Sequence, residues 1–265
     1  MSAPTPPAAA TGAIVDKSAE GRNARQYHIG VAPGEVSTVA LLPGDPFRVP
    51  LIAEFLEDVV EVAHHREHRT MVGTYKGRRI TATSTGMGCP STAIAVEELI
   101  RVGVTSFIRV GSTAAVQPGI RPGDLVVSEG TLRNDGTSAA YVHPGYPAVP
   151  DLRIATTLDR IAREAAVGAD WSTHSGLNAS DDAFYAETPE WLALLQRQGI
   201  LNIEMESSAM YVVARQRQVR AGMICAVSSN LVEGESVYAE GNARLRDGWR
   251  RSIEVALETA IALEL

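Results

Sequence analysis

The dominant pattern along the chain is a series of short apolar, β-branched runs, each ending in Gly, Pro or small hydroxyl residues. Thr38-Val39-Ala40-Leu41-Leu42 is the first and runs into Pro43-Gly44-Asp45-Pro46. Strands are predicted at Val59–Ala63, Thr70–Tyr75 and Arg79–Thr83, the last two joined by a hairpin turn at Lys76-Gly77. Apolar residues then recur at helical spacing from Ser91 to Arg101, with Ala93, Ile94, Val96, Leu99 and Ile100 on one side. Further strands are predicted from Ser106 into Gly111-Ser112-Thr113 and over Gly123–Val127, Trp171–Leu177, Leu201–Ile203 and Ala221–Ser228. Helices are predicted from Asp151 to Val167, Pro189 to Gln198, Glu204 to Arg217 and Arg244 to Leu263. Residues 129–150 and Asn178–Glu187 read as polar loops. Strands alternating with helices predict an α/β fold: a single domain with a mixed, mostly parallel central sheet flanked by helices. Residues 27–265 form that domain, and the Ala/Pro/Thr/Ser-rich residues 1–26 read as a disordered N-terminal extension.

Composition narrows the partners. The 265 residues are 45% hydrophobic, enough for one large core. The net charge of −7 without a basic block argues against nucleic acid and anionic membrane surfaces, and no apolar run reaches spanning length. Cys89 and Cys225 lack CxxC spacing and read as reduced thiols of a cytoplasmic protein, with no convincing signal peptide ahead of them.

An arginine interrupts the apolar run Ser106-Phe107-Ile108-Arg109-Val110, which ends in Gly111-Ser112-Thr113. A guanidinium keeps its proton, so a buried Arg109 needs an anion: either an interior carboxylate or a phosphate at the strand's C-terminal end. Arg48 follows the first strand, after Asp45 as helix cap and Pro46 at the first helical position; it serves either such an anion or a surface pair with Asp45 or Glu54. Glu204 and Glu206 follow another apolar strand. They suit acid/base work at a sugar or hydrogen bonds from its vicinal hydroxyls, or else they are helix N-terminal acids. His64-His65-Arg66-Glu67-His68 is not H-E-x-x-H and its flanks read as strand, which disfavours zinc. Gly86-Met87-Gly88 alone is a weak dinucleotide signal.

Taken together, Leu41-Leu42-Pro43-Gly44-Asp45-Pro46-Phe47-Arg48, His65-Arg66-Glu67, Ser84-Thr85-Gly86-Met87-Gly88-Cys89-Pro90-Ser91, Ile108-Arg109-Val110-Gly111-Ser112 and Ile203-Glu204-Met205-Glu206-Ser207 resemble the nucleoside phosphorylases of the uridine phosphorylase and hexameric purine nucleoside phosphorylase type. Tyr27-His28-Ile29-Gly30, Ala95-Val96-Glu97-Glu98-Leu99 and Asn230 lean towards the uridine branch. The resemblance implies phosphate-dependent cleavage of a nucleoside to free base and (deoxy)ribose 1-phosphate, a salvage reaction with phosphate as co-substrate and no required cofactor. It implies that Gly44, Arg48, Arg109 and Ser112 hold phosphate, with Arg66 reaching it from a neighbouring subunit. It places Glu206 on the ribose hydroxyls, Met205 on the sugar face and His28 of a neighbour on the 5′ hydroxyl. A dimer with shared sites, usually within a hexamer, is implied too, as is a monovalent cation held by Glu67, the Met87 carbonyl and Ser91.

The base end departs from both branches. Phe184 is implied to line it, but Thr188 and Glu190 stand where the uridine enzymes carry their uracil-reading Gln and Arg, and the supporting arginine falls at Leu231. Ser229-Asn230 replaces the purine branch's catalytic Asp, and Ala114 replaces a Gly beside the base. The expected activity is therefore uridine phosphorylase-like with altered base recognition. A purine phosphorylase using Ser229, Asn230 or a water is the alternative, and a non-catalytic nucleoside-binding protein on the same scaffold is a third reading. A hydrolytic nucleosidase is disfavoured, having no use for three arginines around one anion.

Overall fold

The structure is a computed structural model that describes Gly21, residues 24–234 and residues 243–265. The extension expected over residues 1–26 lies outside the described residues except at its end. There Gln26 is buried and its Nε2 donates to the carbonyls of Gly21 and Ala24.

The apolar runs become strands in order. β1 (Val39–Leu42) is buried throughout and passes through a 3-10 turn, Pro46–Arg48, into the short helix α1 (Val49–Ala53). Asp45 caps that turn by accepting from the Phe47 N–H, and Pro46 occupies a position that needs no amide hydrogen. β2 (Glu57–His65), β3 (His68–Tyr75) and β4 (Arg78–Thr83) form an antiparallel meander. Lys76 and Gly77 both take positive φ at its second hairpin, as a tight primed turn requires. Then come α2 (Cys89–Arg101), β5 (Ser106–Ala115), β6 (Leu125–Asn134), α3 (Gly136–Tyr141), α4 (Leu152–Ala165), β7 (Thr173–Asp181), α5 (Pro189–Arg197), β8 (Asn202–Glu204), α6 (Ser207–Gln216), β9 (Arg220–Asn230) and α7 (Ala243–Ala262).

Two predicted loops are corrected. Residues 129–150 contain the second half of β6 and the helix α3, and Asn178–Asp181 completes β7. Their polar side chains hid the strands because they face a buried polar layer rather than an apolar core. Ser128 and Thr131 donate to Asn178 Oδ1 at 2.6 and 3.0 Å, and Asn178 donates to Ser207 Oγ at 2.9 Å.

The sheet runs β2-β3-β4-β1-β5-β8-β7-β6-β9, and β9 also pairs with β5. The last five strands therefore close on themselves, with β5 shared between the closed part and the open wing. The pairings β1–β4, β1–β5, β5–β9, β6–β7 and β7–β8 are parallel; the other four are antiparallel. This is the expected mixed, mostly parallel α/β sheet. The strand period of two sends Leu42 and Phe107 into one core with Leu99 and Tyr211 of α2 and α6. It sends Leu41, Ile108 and Val110 into the other, with Leu158 and Leu257 of α4 and α7.

Close approach of α4 to β9 depends on Gly222, where a Cβ would lie 2.4 Å from Ile154 Cγ2. Gly222→Ala is therefore expected to cost about 1–3 kcal/mol of stability through overpacking, read as a lowered urea midpoint followed by tryptophan fluorescence.

Candidate active site

β1 and β5 run parallel with Leu42 opposite Arg109, so their C-terminal ends lie side by side. The crevice beyond such ends is where an open α/β sheet takes its ligand. Here a cavity of about 690 Å³ opens between the Gly44–Arg48 turn, the end of β5 and the β8–α6 junction. Its lining includes Gly44, Arg48, Arg109, Ser112, Glu204, Met205 and Glu206.

Arg109 is the buried centre of this site. Its Nε donates to Glu204 Oε2 at 2.9 Å and its Nη2 to Glu206 Oε2. Burial opposes its charge, but the two carboxylates outweigh burial and raise its pKa. The guanidinium folds back over its own strand because residue 111 is glycine: a Cβ there would sit 2.9 Å from the Arg109 guanidinium carbon and from Cys225 Sγ. The third nitrogen, Nη1, is buried with no hydrogen-bond partner, on the side facing Gly44. The interior carboxylates thus use two of the guanidinium nitrogens and leave the third, with both its N–H groups, unspent.

Arg48 joins neither Asp45 nor Glu54; Glu54 pairs with Arg250. Its Nη1 donates to Ser112 Oγ at 3.1 Å, and its guanidinium lies 5.2 Å from the Trp249 ring centre. Burial, and then the neighbouring Arg109 charge, lower its pKa. Two guanidiniums at one wall, one with an unpaired nitrogen, make a site for an acceptor-only anion.

The two acids divide the readings between them. Glu204 is the helix-capping acid: it accepts from the Glu206 and Ser207 N–H groups, both at 3.0 Å to Oε2, and from the hydroxyls of Ser180 and Ser207 at 2.5 and 2.7 Å. Glu206 faces the cavity, with Oε1 accepting from the Gly88 N–H at 2.8 Å. Burial raises its pKa against the pull of Arg109, and the Glu204 charge adds to the rise.

Of the residues singled out from the sequence, Gly44, Glu67, Met87, Ala114 and Phe184 line this same cavity with Arg48, Arg109, Ser112, Met205 and Glu206. Six others do not line it. His28 is tied through Nδ1 to Glu98 Oε1 at 2.6 Å, and Arg66 is exposed, 5.7 Å from the Tyr27 ring centre. Ser91 stands behind Glu67 and donates to its Oε1 at 2.9 Å. Thr188 is exposed and caps α5 by accepting from the Trp191 N–H. Ser229 is buried, and Asn230 donates to the Gln117 and Ile120 carbonyls at 2.9 and 2.8 Å, so neither faces the expected base position. The reason is a bulge: Thr113 pairs with Val227 but Ala114 with Ser229, which leaves Ser228 as the extra residue. Ser228 lines the cavity in their place. His65 and His68 each bond a backbone carbonyl through Nδ1, and the described residues hold no His, Cys, Asp or Glu cluster suited to a metal ion.

Glu187, Tyr185, Leu192 and Ser228 complete the lining and were not singled out from the sequence. For Glu187 the only signal was its place just after Phe184-Tyr185. Half burial, with the Asp181 charge nearby, lifts its pKa to about 7.

Replacing Arg109 should strand two buried carboxylates. Arg109→Ala is expected to lose about 3–5 kcal/mol of stability. The deficit should narrow as the pH is lowered. Without its cation Glu206 keeps a raised folded-state pKa, so the folded variant takes up protons before the unfolded chain does and gains stability towards acid. Urea titrations at neutral and mildly acidic pH check both statements.

Comparison with known proteins agrees with this geometry. Residues 38–261 match the family model described as the phosphorylase superfamily. A uridine phosphorylase from Thermococcus kodakarensis is 44% identical over 223 residues, 79% of each chain. A guanosine phosphorylase from Halorubrum lacusprofundi is 41% identical over 244 residues, 91% of this chain and all of that one. The crystal structure of uridine phosphorylase from Vibrio fischeri superposes with a TM-score of 0.83 at 35% identity, covering 90% of this chain and 98% of the other. With the sheet, the paired arginines and the Glu-Met-Glu junction all in place, the chain belongs to the phosphorylase superfamily as a nucleoside phosphorylase, an enzyme that uses phosphate as co-substrate to cleave nucleosides.

Proposed function

We propose that phosphate is held by the Gly44 N–H, Arg48, Ser112 and Nη1 of Arg109, and that it attacks C1′ of a purine nucleoside whose base is read by Glu187. The observation that carries the phosphate assignment is the buried, unpartnered Nη1 of Arg109 beside Arg48. The ribosyl cation that develops as the base departs would lie between this anion and Glu206. Glu206 has a fixed position, set by Gly88 and Arg109, and spare acceptor capacity for the 2′ and 3′ hydroxyls. Met205, at the cavity wall, packs on the sugar. Catalysis is then largely positioning and preorganised charge, with no cofactor needed.

The base end supports a purine. Phe184, Leu192, Leu231 and Ala114 give it apolar walls, and Glu187 is the acid placed there. A carboxylate matches the two adjacent donors of guanine, N1–H and the 2-amino group. The Halorubrum lacusprofundi relative that aligns over its whole length is a guanosine phosphorylase, which supports the same choice. The uridine-like scaffold would then carry a different reader.

The site is completed by a second copy. His28 and Arg66 lie outside their own cavity, and the exposed Tyr27, Phe47 and Met87 supply apolar surface for such contact. A shared-site dimer, assembled further into a hexamer, follows from this reading. Glu67, Ser91 and the Met87 carbonyl offer an oxygen-only donor set for a monovalent cation at that contact. Residues 27–265 would form the catalytic domain, and the buried free thiols Cys89 and Cys225 suit a cytoplasmic salvage enzyme. No helix among the described residues is long and apolar enough to cross a membrane.

Base release from guanosine, inosine and uridine, with and without phosphate, tests this directly. Release should require phosphate, and guanosine should exceed uridine at least about tenfold in kcat/KM, the worth of one charge-assisted hydrogen bond. Faster cleavage of uridine would overturn the base assignment; phosphate-independent release would overturn the phosphate site. The carboxylate is the reading form, so kcat/KM for guanosine should rise through about pH 7. Glu187→Gln should flatten that rise and lower the plateau by about 10-fold or more.

A further inference from the structure

Ser112 Oγ has an unusual set of neighbours. Arg48 Nη1 donates to it at 3.1 Å, and the indole Nε1 of Trp249 donates to it at 2.8 Å. Both groups are donors only. A hydroxyl has two acceptor lone pairs and one hydrogen, so these two neighbours fill its acceptor side and neither can receive its proton. The Ser112 hydrogen is left to point into the cavity that the residue lines.

We propose that Trp249 is a positioning residue for the phosphate subsite: its indole N–H, together with Arg48, fixes Ser112 as a donor aimed at the anion. This rests on the assignment of Arg48, Arg109 and Ser112 to phosphate.

The fold brings Trp249 there for identifiable reasons. It sits in α7, 137 positions from Ser112 in sequence. The helix can settle onto the sheet because the preceding residue is Gly248, where a Cβ would lie 2.9 Å from Ala226 Cβ and 3.2 Å from the Gly123 carbonyl oxygen. At that depth the indole does two jobs. Its N–H reaches Ser112, and its ring faces the Arg48 guanidinium at 5.2 Å from the ring centre, an attractive distance for a cation over an aromatic face. A donor chain that ends on an anion also polarises along its length: each N–H that Ser112 accepts makes its own O–H a better donor. Trp249 therefore acts on phosphate through Ser112 and Arg48, without touching it.

The two jobs are separable. Trp249→Phe keeps the aromatic face over Arg48 and most of the packing, and removes only the N–H. Steady-state kinetics with the phosphorylase's preferred nucleoside should then show KM for phosphate raised about three- to tenfold, the range for one lost hydrogen bond. KM for the nucleoside should stay within twofold and the melting temperature close to that of the parent. Ser112→Ala should also raise the phosphate KM, and adding Trp249→Phe to Ser112→Ala should raise it no further. An unchanged phosphate KM in Trp249→Phe, or the same additional loss when Ser112 is already alanine, would overturn the proposal while leaving the phosphate assignment intact. Unchanged phosphate KM in both Ser112→Ala and Arg48→Gln would instead overturn the phosphate assignment, and this inference with it. A matched rise in both KM values accompanied by a lower melting temperature would mark Trp249 as a packing residue and overturn the proposal.

Discussion

The ion cluster of Arg109 with Glu204 and Glu206 is the constraint on which the rest of the site depends. Burying three charges is expensive, and a cluster of this kind is retained only where its geometry is held tightly and its remaining valences are satisfied. Backbone meets the first, and Nη1 of Arg109 is the valence of the cluster left open. The antiparallel pairing of Ala114 with Ile203 sets β8 against the end of β5, so the two acids emerge next to the arginine. Gly88 supplies the N–H that fixes Glu206, and Gly111 leaves the space in which the guanidinium lies. Of the two acids, Glu206 is the one turned to the cavity, held in place before any ligand arrives. Preorganisation of this kind needs no rearrangement at the moment of reaction.

Beneath the cluster lies a second layer that explains why a closed group of strands has a polar interior. Glu204 accepts from Ser180 and Ser207, Asn178 donates to Ser207 and accepts from Ser128 and Thr131, and Ser208 donates to Asp135. These residues come from four different elements, so the acid is fixed relative to most of the closed sheet and not to one strand alone. A fully satisfied network in a low dielectric is rigid. Glu204 faces into the same cavity as its partners, yet its valences are taken up by helix amides and hydroxyls. This is why it positions Arg109 while Glu206 remains open to a ligand.

Local chemistry was legible in the sequence. Asp45 and Asp151 cap where their neighbours imply and Lys76-Gly77 turns; the helical spacing of α2 buries Ala93, Val96 and Leu99, whereas Ile94, expected on the same side, is exposed. The arginines, the Gly turns and the Glu-Met-Glu junction were legible because each is an oddity within its own segment. The second half of β6 and the end of β7 were not, since hydroxyl and amide side chains serving an interior network look the same as loop residues. Ser228 was missed in favour of Ser229 and Asn230 because a single-residue bulge, invisible to motif matching, decides which side chain faces the cavity. Glu187 and Trp249 carry no motif at all: one matters through burial beside Asp181, the other through a contact across 137 positions.

The site divides into parts with different tolerance for change. On the proposed reading the phosphate and ribose ends would be built on β5, the β8–α6 junction and the buried ion cluster, where altering one residue unpairs another. On that reading the base end would be built on the 3-10 turn Phe184–Ala186, on Glu187, on the bulge residue Ser228 and on Leu231 just past β9. These contribute no ion pair to the cluster and only peripheral packing to the core. Substitution there costs little stability, whereas substitution at Arg109 unpairs buried charge. A chain that keeps the first part intact can therefore exchange the second and change the base it accepts while performing the same displacement at C1′. On the proposed reading, Glu187 and Leu231 at the cavity wall and Thr188 and Glu190 just outside it then belong to one local change, in a segment that makes no ion pair with Arg109.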